Sequence, residues 1–139
     1  MNKRILVPVD GSDKSAAALS FAAEEWPDAE LTLLHVINPA EAASTVEGTF
    51  PGAVEQWYET ARERGERIVA NAAESVDREV ETRVEVGRPA HTIVEVADDI
   101  DAHGIVIGSH GRKGVSRVLL GSVAESVMRN ADRPVTVVR

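Results

Sequence analysis

Five short apolar, β-branched stretches alternate along this chain with four stretches of helical periodicity, and neighbouring segments are always of opposite kind. That alternation limits the fold more than any other feature. Strands separated by helices cannot pair as tight hairpins, so each return to the sheet needs a crossover, and the expected result is a parallel sheet with helices on both faces. The strand-like segments are KRILVPV at 3–9, ELTLLHV at 30–36, VETRVEV at 80–86, GIVIGS at 104–109 and VTVV at 135–138.

The connecting segments carry their own start and stop signals. From Lys14 to Trp26 an alanine-rich pattern places Ala16, Leu19, Ala23 and Trp26 near helical spacing; Ser12 or Asp13 can cap its start and Pro27 stops it. Asn38 to Gly52 is polar, small and broken by prolines and glycines, which predicts a long loop and the chain's most mobile segment. A helix over 53–76 follows, with Val54, Trp57, Ala61, Ile68, Ala72 and Val76 on one side and Gly65 as a weak point. After Gly87-Arg88-Pro89 another helix keeps Ala90, Ile93, Val94, Ala97 and Ile100 in phase. Ser122 and Glu125 have capping-box spacing and open a last helix to about Ala131.

At 139 residues the chain has the size of one domain, and residues 1–139 are expected to form one. No apolar run approaches the roughly 18 residues of a membrane span, and the first strand pattern begins at once, so the expectation is a soluble, cytoplasmic protein without a membrane partner. The formal net charge of −8, from 23 acidic against 15 basic residues, disfavours nucleic acid as a partner. The absence of cysteine removes disulfides, thiol catalysis and cysteine-based zinc sites.

Ligands of open α/β sheets bind beyond the carboxyl ends of the strands, where strand order reverses. Two loops compete for that place: DGSD after the first strand and GSHGRKG after the fourth. If both line one crevice, strands one and four are neighbours, which favours the order 3-2-1-4-5 over 2-1-3-4-5. The second loop opens a segment spaced Gly108, two residues, Gly111, nine residues, Gly121-Ser122. Glycines let backbone amides approach an anion, and the N-terminus of the following helix adds roughly half a positive charge, which together suit phosphate. His110, Arg112, Lys113 and Arg117 add local cationic character. The plainer reading is that the glycines make turns and Ser122 caps its helix. The segment is not a Walker A loop, since Lys113 precedes a glycine, and it is not the dinucleotide fingerprint, which follows the first strand.

Taken together, VPVDGS, LLHV, the G-x2-G-x9-G-S segment and the terminal VTVV strand make the sequence similar, over its whole length, to universal stress proteins of the nucleotide-binding branch. The resemblance implies a three-layer α/β sandwich, Rossmann-like and of the adenine nucleotide alpha hydrolase kind, with a five-stranded parallel sheet of order 3-2-1-4-5. It implies ATP held between the first and fourth strands, and a homodimer formed through Val135 to Val138. By the same resemblance Pro8, Val9 and Asp10 face the adenosine, the Val36 backbone meets adenine, Ile107, Gly108 and Gly111 flank ribose and phosphate, and Gly121, Ser122 and Val123 form the phosphate-binding helix start. His110, Arg112 and Lys113 fall in the variable part and are weaker phosphate-side candidates.

Catalytic readings find less support. An ATPase needs a group to position water and charge to meet the γ-phosphate; Asp10 with Arg112 or Lys113 could supply these, but no clear general base is present. Slow ATP hydrolysis is therefore the second reading, and a dimeric scaffold that binds no nucleotide the third. No G-x-S-x-G elbow occurs, and the lysine and phosphoacceptor of a receiver domain are missing. His35, His91, His103 and His110 lie on different elements without ligand spacing, so magnesium or manganese would arrive on the phosphates and not on a protein site. Phe50, Trp57 and Tyr58 are assigned to packing in preference to base stacking. The final strand, apolar and at an edge, presents unpaired backbone that a second subunit can satisfy.

Overall fold

The computed structural model describes residues 3–45, 50–109 and 120–139. In chain order the elements are β1 (Arg4–Pro8), α1 (Asp13–Glu25), β2 (Glu30–Ile37), α2 (Ala40–Thr45), α3 (Ala53–Glu74), β3 (Glu81–Val86), α4 (Pro89–Asp99), β4 (Gly104–Gly108), α5 (Ser122–Asn130) and β5 (Val135–Val138). All strand pairs are parallel and the sheet order is β3-β2-β1-β4-β5, the order favoured if the two candidate loops line one crevice.

Two apolar layers sandwich the sheet. On one face Ile5, Val7, Leu31, Leu33 and Val106 pack against Ala18, Leu19 and Ala22 of α1 and Val69 of α3. On the other, Leu6, Leu34, Ile105 and Ile107 pack against Ile93, Val96 and Ala97 of α4 and Ala124 and Val127 of α5. Each strand thus sends alternate residues to opposite cores, which is why the central strands read as continuous apolar runs and not as alternating ones. Among the described residues no helix is long and apolar enough to cross a membrane.

Several local expectations are corrected. The predicted 38–52 loop contains α2, whose start is held by the Asn38 side chain accepting from the Ala40 N–H at 3.0 Å; residues 46–49 of that loop lie outside the described residues. In α1 the buried positions are Ser15, Ala18, Leu19 and Ala22, and Ala16 is exposed, because the helix is rotated so that its smallest stripe meets β1 and β4. Ser12 does cap it, accepting from the Ser15 N–H at 3.2 Å. Along α3 only Ala53, Gly65 and Val69 are buried, while Val54 is 46% exposed. In α4 Val96, and not Val94, completes the buried face with Thr92, Ile93 and Ala97.

Two arginines close the amino end of the sheet. Arg78 donates to the carbonyls of Ala23, Trp26 and Ala29 at 2.6–3.0 Å, covering the end of α1, and Arg133 donates to Ala97 at 3.1 Å and to Ala102 at 2.5 Å, covering the end of α4. Helix ends leave carbonyls without intrahelical partners, and a five-donor guanidinium suits that deficit. The opposite, carboxyl end of the sheet is left for the candidate site.

Candidate nucleotide site

β1 pairs with β2 along its whole length, from Arg4 opposite Glu30 to Pro8 opposite Leu34. Its registered pairing with β4 covers only Ile5 with Gly104 and Leu6 with Ile105. Beyond that point β1 follows β2 while β4 follows β5, with Ile107 opposite Val137 and Gly108 opposite Val138. The two central strands therefore part at their carboxyl ends, at the position where strand order reverses.

Period-two alternation sorts the candidate residues between the faces of this parting. Pro8, Val36 and Ile107 continue the series Leu6, Leu34 and Ile105, so they share the α4/α5 face; Ile107 is buried, while Pro8 and Val36 are half-buried. Val9 belongs to the opposite core with α1 and α3 and is buried there. Its backbone is also engaged, the N–H donating to the Leu34 carbonyl at 2.8 Å and the carbonyl accepting from His35 Nδ1 at 2.9 Å. Its side chain thus lies on the opposite face of the sheet from Val36 and Ile107.

Val36 is placed differently. In a parallel strand the N–H and C=O of one residue point to the same neighbour, and those of the next residue point to the other. Leu34 points to β1, where its carbonyl accepts from Val9, and Ile37 points to β3, where its carbonyl accepts from the Gly87 N–H at 2.9 Å. Val36 is in phase with Leu34, so its donor and acceptor both face the β1 side, beyond Pro8, the last β1 residue in register. The result is an N–H and a C=O side by side over the strand end, above an apolar floor.

Asp10 starts the turn at the end of β1. Its Oδ1 accepts from the Ser12 N–H at 2.9 Å, its own N–H donates to Ser15 Oγ at 3.3 Å, and Gly11 follows with φ of +84°, a conformation that favours glycine. One carboxylate oxygen thus shapes the turn, and among the described residues Oδ2 has no hydrogen bond.

Across the parting, Gly121 caps α5 with φ −64° and ψ 153° and no side-chain hydrogen bond. Its N–H donates to the Ser109 carbonyl, which brings together the two ends of the segment between them. The expected capping box does not form. Ser122 is the first helical residue, one position too late to cap, and Glu125 accepts from Arg129 at 3.0 Å. The first intrahelical bond runs from the Glu125 N–H to the Gly121 carbonyl at 3.0 Å, so the amides of Ser122, Val123 and Ala124 precede it at the positive helix end without an acceptor among the described residues. Ser122 and Val123 are exposed. His110, Gly111, Arg112 and Lys113 lie outside the described residues, and among those described no group of three or more His, Asp or Glu could hold a metal ion.

Gly108 has a packing role that sequence reasoning missed. A Cβ there would stand 2.7 Å from the Lys14 carbonyl oxygen, so its lack of a side chain admits the first turn of α1 over β4. His35 as the partner of the Val9 carbonyl, and Gly65 as the residue that leaves room for its ring, were also missed; only the oddity of a glycine inside a long helix hinted at them.

Comparison with known proteins agrees with this geometry. The sequence profile of the universal stress protein family matches residues 1–139. The universal stress protein MJ0531 of Methanocaldococcus jannaschii is 38% identical, over 99% of this chain and 82% of its own length. The solved structure of MJ0577, from the same organism, superposes with a TM-score of 0.84 at 32% identity, covering 99% of this chain and 96% of that one. A universal stress protein in complex with cAMP gives 0.65 at 26% identity, covering 99% and 97%. That of Archaeoglobus fulgidus in complex with dAMP gives 0.61 at 25%, covering 100% and 98%. With profile, relatives and strand order in agreement, this chain belongs to the universal stress protein family.

Proposed function

We propose that this protein binds an adenine nucleotide, ATP in the cell, where β1 and β4 part, and that it acts as a cytoplasmic, homodimeric, nucleotide-dependent stress-response or regulatory module. The observation that carries the reading is the Val36 backbone: a donor and an acceptor side by side match the edge of adenine, which offers an amino group beside a ring nitrogen. Pro8 and Ile107 supply apolar walls for the nucleoside, Asp10 Oδ2 is available to a ribose hydroxyl, and the amides of Gly108 and Gly111 approach the phosphates. Gly121, Ser122 and Val123 receive those phosphates at the start of α5. A magnesium or manganese ion travels with the phosphates. Two structural neighbours in the family carry cAMP and dAMP, which is the same base and sugar class.

The two sheet edges differ in a way that supports the dimer. β3 carries Glu81, Arg83 and Glu85 along its length, charges that protect an edge, whereas β5 is VTVV. Since Ser109 N–H donates to the Val138 carbonyl and Ile105 N–H to that of Pro134, the alternate residues Val135 and Val137 present their backbones to the open side. A second β5 can pair there.

Titrating the purified protein with ATP and AMP, with and without magnesium, tests the reading. Binding abolished by Gly121→Val in a folded protein supports it; no binding at millimolar nucleotide replaces it with the nucleotide-free scaffold.

A further inference from the structure

The peptide plane joining Val9 to Asp10 is gripped on both sides. Its carbonyl accepts from His35 Nδ1 at 2.9 Å, and its N–H donates to Ser15 Oγ at 3.3 Å. A carbonyl can only accept, so Nδ1 of His35 carries a proton. His35 is 7% exposed and lies on the α1/α3 face of β2, in phase with Leu31 and Leu33. There it meets α3 at Gly65, where a Cβ would stand 2.8 Å from His35 Cδ2 and 3.2 Å from Val84 Cγ1. A glycine inside a helix is destabilising relative to alanine. α3 carries that cost at the one position where the imidazole needs the room.

We propose that His35 is a positioning residue for the nucleotide site. It orients the Val9–Asp10 peptide, and with it the direction in which Asp10 leaves β1, while Gly65 of α3 seats its ring. The inference rests on the nucleotide reading given above, but the contact it describes exists in the ligand-free protein and is measurable there.

The experiment uses the full chain with His35→Phe, which keeps an aromatic ring and loses the donor, and His35→Asn, whose amide nitrogen falls near the position of Nδ1. Imidazole ¹⁵N NMR of the ligand-free wild type should show a protonated Nδ1. AMP affinity should fall about tenfold in His35→Phe, the loss expected of one hydrogen bond, and return to within about threefold in His35→Asn. Amide exchange at Asp10 and Ser12 should rise in the first variant and recover in the second. An unprotonated Nδ1, or a folded His35→Phe protein with wild-type affinity and wild-type exchange at Asp10, overturns the inference. If the wild type binds no adenine nucleotide, the functional reading fails, and the exchange of Asp10 and Ser12 in the two variants alone decides the role of His35.

Discussion

Gly108 of β4 lies directly beneath Lys14 of α1, so close that an added Cβ would stand 2.7 Å from the Lys14 carbonyl oxygen and 2.8 Å from its carbon. Backbone cannot yield as a long side chain can. Gly108→Ala should therefore destabilise the fold by roughly 1–3 kcal/mol, the range for overpacking a filled interior. Chemical denaturation of the ligand-free protein measures it; unchanged stability would show that α1 shifts freely.

Asp10 has two separable duties. Asn at this position keeps an oxygen for the Ser12 N–H, which Oδ1 now accepts at 2.9 Å, while Ala removes it. Asp10→Ala is expected to lose about 1 kcal/mol of stability and Asp10→Asn much less. Both should weaken ATP binding if Oδ2 meets the ribose, since an amide nitrogen cannot accept. Denaturation and calorimetry on the same preparations separate the two effects.

Arg133 is a purely architectural residue at the far end of the sheet. Its side chain is 15% exposed, pairs with Asp98 at 2.5 Å and donates to the carbonyls of Ala97 and Ala102. Arg133→Ala should destabilise by about 2 kcal/mol, because it leaves carbonyls near the end of α4 without partners. Nucleotide affinity of the folded fraction should not change; a selective loss of affinity would contradict the assignment.

The open backbone of β5 predicts how a dimer would break. Val137 directs its N–H away from β4, so Val137→Pro removes a donor from the outer edge and none from the ladder to β4. Sedimentation should show monomers of a folded chain. A dimer that survives the substitution would place the subunit contact elsewhere.

These residues also mark what could be read in advance. Strand order 3-2-1-4-5 is the one favoured if two glycine-bearing loops line one crevice, an inference open to the sequence because topology acts on whole segments. Contacts made between distant elements were not visible in this way. Gly65 resembles a flaw in α3 until His35 is found beneath it, and the packing role of Gly108 shows only once α1 is laid across it. Ser122 fits a capping box by spacing, yet the bond from Gly121 to Ser109 starts the helix one residue earlier, and a local motif carries no record of that tertiary bond. Val36 entered through family resemblance; only the end of the β1–β2 register at Pro8 opposite Leu34 supplies a physical reason for an open peptide at that position.

Nucleotide binding where β1 and β4 part is tested most directly by following backbone amides in an NMR titration with ATP. The predicted result is saturable binding, with the largest shifts at Val36, Asp10, Gly121, Ser122 and Val123, and with the Val36 amide moving equally for AMP because it reads the base. Saturable shifts centred on any other face of the sheet, or a Val36 amide unmoved at millimolar nucleotide, would contradict it.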